Sequence, residues 1–459
     1  MTTVRGNGKR RSTTCSTVTT GMMVIRPNVA GIDLGSREHY VCGPRQPNGE
    51  RNVKVFDTST PQLNALADWL RAQGVVSVAM ESTGVYWIPL YEILEARGLE
   101  VILAHAQYLA HVPGRKTDML DCQWIQLLHS CGLLTGSFRP AESICALRAL
   151  VRERSTLIDQ RSDWLKRMQK SLDQMNVRVH LAVSDISGAT GMAMIRAIVA
   201  GQRDPLELAK LRDARCRQSV EQMAAWLTGN WRTEHLFALA QALKFYDFIQ
   251  ARIAEYEERI METLKTLQPA HAAEQSAPAP KASSKARSIR TRGQEPLRQG
   301  LFALSGADLT VIDGIGVETA QTLLSEVGTD LSRFPSEKHF CSWLGLAPKH
   351  EISGAKVLKN KTMKTKNRAG QAFRMAAQSV KRADCVFGSL YRRLKSRLDK
   401  AQATVATAHA IARVVYRMLK YQVEYEKINV EEYEQKYKEQ QIKYMKKKAE
   451  KFGFQLVPA

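Results

Sequence analysis

Cysteine is scarce and scattered. Eight stand at Cys15, Cys42, Cys122, Cys131, Cys145, Cys216, Cys341 and Cys385, and no two form a CxxC pair. A zinc ribbon is therefore not expected. A chain of 459 residues needs no disulfide framework to hold its core, so reduced thiols are the simple reading. No apolar run approaches the roughly 18 residues of a membrane span. Residues 1–27 lack the apolar centre of a secretory signal. They are rich in Thr and Ser, carry Arg5, Lys9, Arg10 and Arg11, and read as a disordered basic tail. No basic amphipathic segment carries the Trp, Phe and Leu face that an anionic membrane surface requires, so no membrane partner is expected. Acidic residues are also short, 45 against 67 Lys and Arg, for a formal net charge of +22. A surplus of that size points to a polyanionic partner, nucleic acid first.

What is present falls into segments. A hydrophobic fraction of 44% supports real cores, and the length supports two or three domains. Residues 28–140 read as α/β. Val29–Leu34, His39–Cys42 and Asn52–Phe56 are strands, Pro61–Gln73 is a helix closed by Gly74, and Val75–Met80 is a fourth strand. Trp87–Arg97 is a helix, Val101–Ala104 a fifth strand and Thr117–Leu134 a third helix. The order βββαβαβα is that of an RNase H-like fold. Residues 141–268 are helical: Val151, Ile158, Leu165 and Leu172 recur every seven residues, as do Leu239, Tyr246, Ile253, Ile260 and Leu267. Such repeats read as a coiled coil or a long helical hairpin, and the charged residues between them favour a coiled-coil arm. Residues 269–300 shift to Ala, Pro, Ser, Lys and Arg, a linker composition. A mostly helical domain follows at 301–420, and 421–459 ends the chain in a lysine-rich helix.

Four acids stand where this fold can use them. Asp33 ends the first strand, Glu81 ends the fourth, and Asp118 and Asp121 lie three apart on one helix face. In the expected strand order the first and fourth strands are neighbours, so acids from three elements can reach one pocket at the sheet edge. Alone, each has an ordinary reading: an Asp after a strand forms turns, and one near a helix start caps it. Together they make an oxygen donor set suited to Mg²⁺ or Mn²⁺, and to phosphoryl transfer by two such ions. Further on, Leu309–Leu324 reads as a helix-hairpin-helix. Gly314 and Gly316 would turn the chain and expose N–H groups to a phosphate at a helix start; the plain alternative is an ordinary helical turn.

Three segments carry a specific resemblance: Gly31–Gly35 (GIDLG), Met80–Trp87 (MESTGVYW) and Val112–Asp121 (VPGRKTDMLD). They resemble the DEDD motif set of the IS110 family of insertion-sequence transposases, relatives of the Piv-type DNA invertases, over about residues 28 to 420. The resemblance implies a RuvC-like catalytic domain with Asp33, Glu81, Asp118 and Asp121 as metal-binding catalytic acids. It also implies a C-terminal transposase domain in which a serine after the Gly345–Pro348 segment attacks DNA; by motif that residue is Ser353. Lys356, Lys359, Lys361, Lys364, Lys366 and Arg368 crowd after it and would clamp the scissile backbone. From Lys356 to Lys451 there are 25 Lys and Arg against 9 Asp and Glu. Lys366-Asn367 stands where family members often carry Gly-Asn. The resemblance further implies donor and target DNA, a guide (bridge) RNA and a serine-linked intermediate. It implies a tetramer built as a dimer of dimers, and a cytoplasmic, nucleoid-associated location in a bacterium. The acids and Ser353 are expected to serve one phosphate, within a chain or between protomers. Three rivals share parts of the pattern: a RuvC-type structure-specific nuclease that needs no serine, a DNA invertase without guide RNA, and a DNA-coating helix-hairpin-helix scaffold.

Overall fold

A computed structural model describes residues 23–46, 50–82, 84–104, 118–268, 293–354, 356–362, 367–427, 429–455 and 457. At 118–120, 349–352, 356–357 and 359–361 the description covers the backbone alone. The tail through residue 22, the segment 269–292, and Lys364 and Lys366 lie outside it. The chain divides into two compact units, Met1–Arg139 and Pro140–Ala459.

The first unit is built on a five-stranded mixed sheet. Strands β1 (Val29–Leu34), β2 (Glu38–Arg45) and β3 (Arg51–Asp57) form an antiparallel meander. Strands β4 (Ser77–Glu81) and β5 (Glu100–Ala104) add in parallel on the other side of β1. The order β3-β2-β1-β4-β5 makes β1 and β4 neighbours, as the RNase H-like reading requires. Both faces of β1 are covered, which is why it reads as an almost unbroken apolar run. Alternate residues serve opposite faces. Ala30, Ile32, Val78 and Met80 join the core beneath helices α1 (Thr60–Ala72) and α2 (Trp87–Ala96), through Leu63, Leu66, Leu70, Leu90 and Leu94.

The other face receives helix α3 (Asp118–Ser130). Its backbone lies almost on β1 at Gly31, where a Cβ would stand 2.2 Å from the amide nitrogen of Gln126 and 2.5 Å from the carbonyl of Cys122. No other residue fits without moving the helix. Three side-chain bonds fix the helix across three strands. Arg51 Nη1 on β3 donates to Gln123 at 2.9 Å, Gln126 Nε2 donates to the Val29 carbonyl at 3.4 Å, and Ser77 Oγ on β4 shares 2.9 Å with His129 Nε2.

In the second unit α4 (Glu142–Gln174) and α9 (Thr233–Leu267) run antiparallel, joined by Arg154–Glu257 (2.6 Å), Arg161–Gln250 (2.7 Å) and a Trp164–Phe245 stack at 4.3 Å. Val151, Leu172, Leu239, Tyr246, Ile253 and Ile260 are buried, so much of the heptad seam is satisfied within one chain. Short helices α5 (Val179–Ala182), α6 (Ala189–Val199), α7 (Pro205–Lys210) and α8 (Val220–Leu227) close a core over one end of the pair, around Met168, Leu172, Ile195, Ile198 and Leu239. Helix α10 (Glu295–Ser305), a 3₁₀ turn (Leu309–Val311) and α11 (Val317–Val327) follow. Arginines of α4 reach α11: Arg152 holds Glu326 with two bonds of 2.7 Å, and Arg154 also pairs with Glu318 at 2.8 Å. The rest is α12 (Glu337–Trp343), a hairpin of β6 (Pro348–Ser353) and β7 (Lys356–Thr362), α13 (Arg368–Val380), α14 (Val386–Lys395), α15 (Lys400–Tyr421) and α16 (Val430–Lys451). Phe334, Phe340, Phe373 and Tyr416 form its aromatic centre. The hairpin was not expected in a domain read as helical.

Two outcomes follow for the first unit. Gly31→Ala should cost on the order of 1–3 kcal/mol by overpacking. Gly136→Ala, whose Cβ would meet only Ile102 at an ordinary 3.5 Å, should stay within about 0.5 kcal/mol. Chemical denaturation of both variants measures the difference, and equal losses would remove the close approach as the cause. His129 supplies the pH test. Burial, aided by the charge of Arg26 and opposed by Glu100, pushes its imidazole down to about 4. The unfolded ring, near 6.5, then takes a proton first, so stability is full above that pH and declines as pH falls toward 4. The decline is on the order of 2–3 kcal/mol. His129→Gln, which can keep a bond to Ser77, should flatten this acid limb in melts from pH 7 to 4; an unchanged slope would assign it to other groups.

Candidate active site and nucleic-acid interface

The alternation that buries the sheet also aims the acids. Gly31 and Ser77 face α3, so Asp33, two residues past Gly31, and Glu81, four past Ser77, lie on that same face. Ile32 pairs with Met80 in parallel register; one residue further, Asp33 and Glu81 stand side by side as β1 and β4 end. Both are half-buried. Asp121 is half-buried on the first turn of α3, one residue before the carbonyl that meets Gly31. Asp118 is the first residue of that helix; its side chain lies outside the described residues. The unit therefore brings Asp33, Glu81 and Asp121 to one sheet edge. Among the described residues no group of three or more His, Cys, Asp or Glu side chains is gathered closely enough to hold a metal ion.

Cys122 reports the electrostatics there. Burial pushes its thiol up to about 12, and the charges of Cys42, Asp33 and Asp121 add to the effect. Asp33 and Asp121 thus act on one buried point. This thiol and that of Cys42, pushed up to about 11, stay protonated at neutral pH, which withdraws these soft donors and leaves hard carboxylate oxygens.

In the second unit Ser353 is the last residue of β6, exposed, opposite Lys356 across the hairpin tip. Gly354 turns the chain there with φ +53°. Lys361 pairs with Lys349 and Lys359 with Glu351 in the backbone register; the lysine side chains are outside the described residues. Arg368 is exposed at the start of α13.

The base of the hairpin is pinned by Asn367, noted in the sequence only as part of an atypical pair, and by Gly370 and Arg374, which sequence reading missed. Asn367 caps α13, accepting from the Gly370 amide at 3.0 Å, and donates to the Trp343 carbonyl at 3.2 Å. Gly370 lies so close to the Leu344 carbonyl that a Cβ would stand 2.2 Å from it. Arg374 donates to the Gly345 carbonyl at 2.8 Å, and burial lowers its pKa from the ordinary arginine value. The Asn367 of the atypical Lys-Asn pair is thus a cap and clamp. The signal available for the hairpin was the Ser-Gly turn between two short runs with β-branched residues, which is weak where lysine dominates.

The two glycines of the expected phosphate turn differ. Gly314 has φ +94° and packs against α13, where a Cβ would stand 2.7 Å from the Ala376 carbonyl. Gly316, the N-cap of α11, is exposed with open space around it. Gly314 shapes the turn from inside, and Gly316 alone presents a surface.

No helix among the described residues is long and apolar enough to cross a membrane. No curated protein matches the chain. Two family profiles do. The DEDD transposase profile of the IS110 type matches residues 30–177, and a profile described as transposase, IS116/IS110/IS902 family, matches residues 306–392. The first covers the acids and the sheet that places them; the second covers the Gly-x-Gly turn, the hairpin and α13. A DEDD family implies a divalent metal ion, and a transposase acts on DNA by phosphoryl transfer. With an RNase H-like sheet followed in the sequence by long helices and a helical C-terminal region, the chain belongs to the IS110 family of transposases.

Proposed function

We propose that this transposase mobilises an insertion sequence in the bacterial cytoplasm, guided by a bridge RNA. It would break donor and target DNA with Ser353 as nucleophile, and Asp33, Glu81, Asp118 and Asp121 would hold Mg²⁺ or Mn²⁺. The observation that carries the metal assignment is the packing of α3 on Gly31, which sets Asp33 and Asp121 to act on one buried point beside Glu81. The donor set fits a hard divalent ion: carboxylates on two strand ends and a helix, with the neighbouring thiol protonated. When bound, such an ion supplies Lewis-acid stabilisation of phosphate charge.

The protein's own residues divide the remaining work. Ser353 Oγ forms the bond to phosphorus, the scissile ester oxygen departs with a proton, and a DNA hydroxyl later reverses the exchange to release the serine. Its exposed position at a hairpin tip, with a glycine next to it, suits close approach of a bulky phosphate. Lys356, Lys359, Lys361, Lys364, Lys366 and Arg368 neutralise the backbone around it, and Gly316, with Gly314 shaping the turn, offers a helix start to a second phosphate. Sequence choice falls to the guide, since a protein can hold a guide duplex by shape and charge. The working assembly is a tetramer, a dimer of dimers.

Two experiments test this. Full-length protein reacted on a nicked substrate with Mg²⁺ should yield a DNA adduct on Ser353 by denaturing gel and mass spectrometry. The adduct should disappear in Ser353→Ala, in EDTA, and in Asp33→Asn, Glu81→Gln, Asp118→Asn and Asp121→Asn at wild-type solubility. Cleavage that survives Ser353→Ala would restore the RuvC-type nuclease. Sequencing RNA that co-purifies with the protein should recover a structured RNA with segments matching DNA beside its own gene. Recovery of only bulk cellular RNA would leave a transposase or invertase that works unguided.

A further inference from the structure

Helix α16 (Val430–Lys451) buries none of its residues and lies beyond both segments that the family profiles match. Its charges are sorted along its length. The first half carries Glu431, Glu432, Glu434 and Glu439 against Lys436 and Lys438, and it docks on α14. Ser389 Oγ donates to Glu434 at 2.6 Å, Arg393 donates to the Tyr433 hydroxyl at 2.5 Å, and the Arg393 guanidinium sits 3.8 Å over Tyr437. Residues 440–451 carry five lysines and one glutamate.

Acid first and lysine last suits the helix dipole, and that explains the order of the charges. It does not explain their spacing. Lys443, Lys447 and Lys451 recur every four residues on one stripe, and like charges at that spacing destabilise a helix standing alone. Glu439, four residues before Lys443, and Glu450, three after Lys447, offset part of this, and Lys451 has no acid three or four residues before it. The repulsion that is left is relieved by a polyanion. Four residues rise about 6 Å along a helix. Phosphates of one DNA strand advance about 3.4 Å along the axis per nucleotide while winding around it, so a spacing of this order lets flexible lysines reach separate phosphates of one backbone. The opposite side of the helix carries Ile442 and Met445, both exposed.

We propose that the C-terminal half of α16 is a backbone-gripping arm for duplex DNA, with Lys443, Lys447 and Lys451 each neutralising a phosphate. The arm reads no base. It extends the DNA-contacting surface beyond the matched domain and is anchored through Glu434, Tyr433 and Tyr437. The assignment does not depend on the acids or on Ser353, because binding is measured without metal.

The test is a salt titration of full-length protein on a fluorescent duplex of arbitrary sequence in EDTA. Each phosphate contact contributes about 0.9 to the slope of log affinity against log salt. The triple variant Lys443→Gln, Lys447→Gln, Lys451→Gln should therefore reduce the slope by about 2.7. Its circular dichroism and its mass by light scattering should match the wild type. The pair Ile442→Gln, Met445→Gln on the other side should leave the slope unchanged. Three results would overturn the arm. The first is a triple variant whose slope stays within about half a unit of wild type. The second is a change in mass that accounts for the lost binding. The third is transfer of the effect to phosphatidylglycerol vesicles, with the triple variant losing vesicle binding while keeping its DNA slope.

Discussion

At Gly31 a strand and a helix touch backbone to backbone, and the geometry of the candidate metal site descends from that contact. A hydrogen in place of a side chain lets the Cys122 carbonyl and the Gln126 amide lie where a Cβ would be. The approach brings the first turn of α3, with Asp121, down onto the face that carries Asp33, next to last in β1, and Glu81, the last residue of β4. The bonds to Val29, Arg51 and Ser77 then stop the helix from sliding or rotating. Carboxylates brought near one another repel, so their positions must be imposed by packing. Here the imposing groups are a glycine, a buried imidazole and two amide side chains, none carrying a negative charge.

The second unit meets a different requirement. An exposed hairpin is a poor platform for chemistry unless its base is fixed, because a two-stranded ribbon has little stability of its own. The base is fixed by a cap (Asn367), a glycine against a carbonyl (Gly370) and a guanidinium on a carbonyl (Arg374). Behind it, α11 is tied to α4 by Arg152 and Arg154, so the turn that begins α11 moves with the long helical pair. A bidentate arginine–carboxylate pair adds direction as well as energy. Glu326 is buried and also faces Arg148 at 3.4 Å, so loss of both arginines would strand its charge.

How much of this was legible depended on whether a feature is local. The order of the sheet could be read because each strand of the first unit carries its own apolar run and its own turn residues; Asp33 and Glu81 were candidates from strand ends, Asp118 and Asp121 from their spacing on a helix. The two long helices could be read from their heptads, yet the pattern did not say what would fill the seam. A repeat at Val151 and Ile253 looks the same whether its partner belongs to another chain or lies a hundred residues away. Gly31 looked like part of a motif, and only the packing shows that it admits a helix. The β6–β7 hairpin escaped because lysines outweigh its few β-branched residues, and the clamp at its base joins Trp343–Gly345 to Asn367–Arg374, a contact no local pattern announces. Gly314 and Gly316 are indistinguishable in sequence, and one of them turned out to be internal.

The charge balance carries a final step. Half-buried carboxylates at a sheet edge would drive a phosphate away, and a chain with a surplus of 22 positive charges would bind phosphate everywhere. Neither property alone makes an enzyme that chooses one bond. Segregation resolves the conflict. From Lys356 onward lie 25 of the chain's 67 basic residues and only 9 of its 45 acids, so the general affinity for backbone is concentrated there. Asp33 and Glu81 stand instead at the ends of strands whose core is apolar, with Asp121 on the helix packed against them. On the proposed assignments, affinity for DNA would be set by salt, through the lysines, and cutting by a divalent ion, through half-buried oxygens, so the two would be separately controlled.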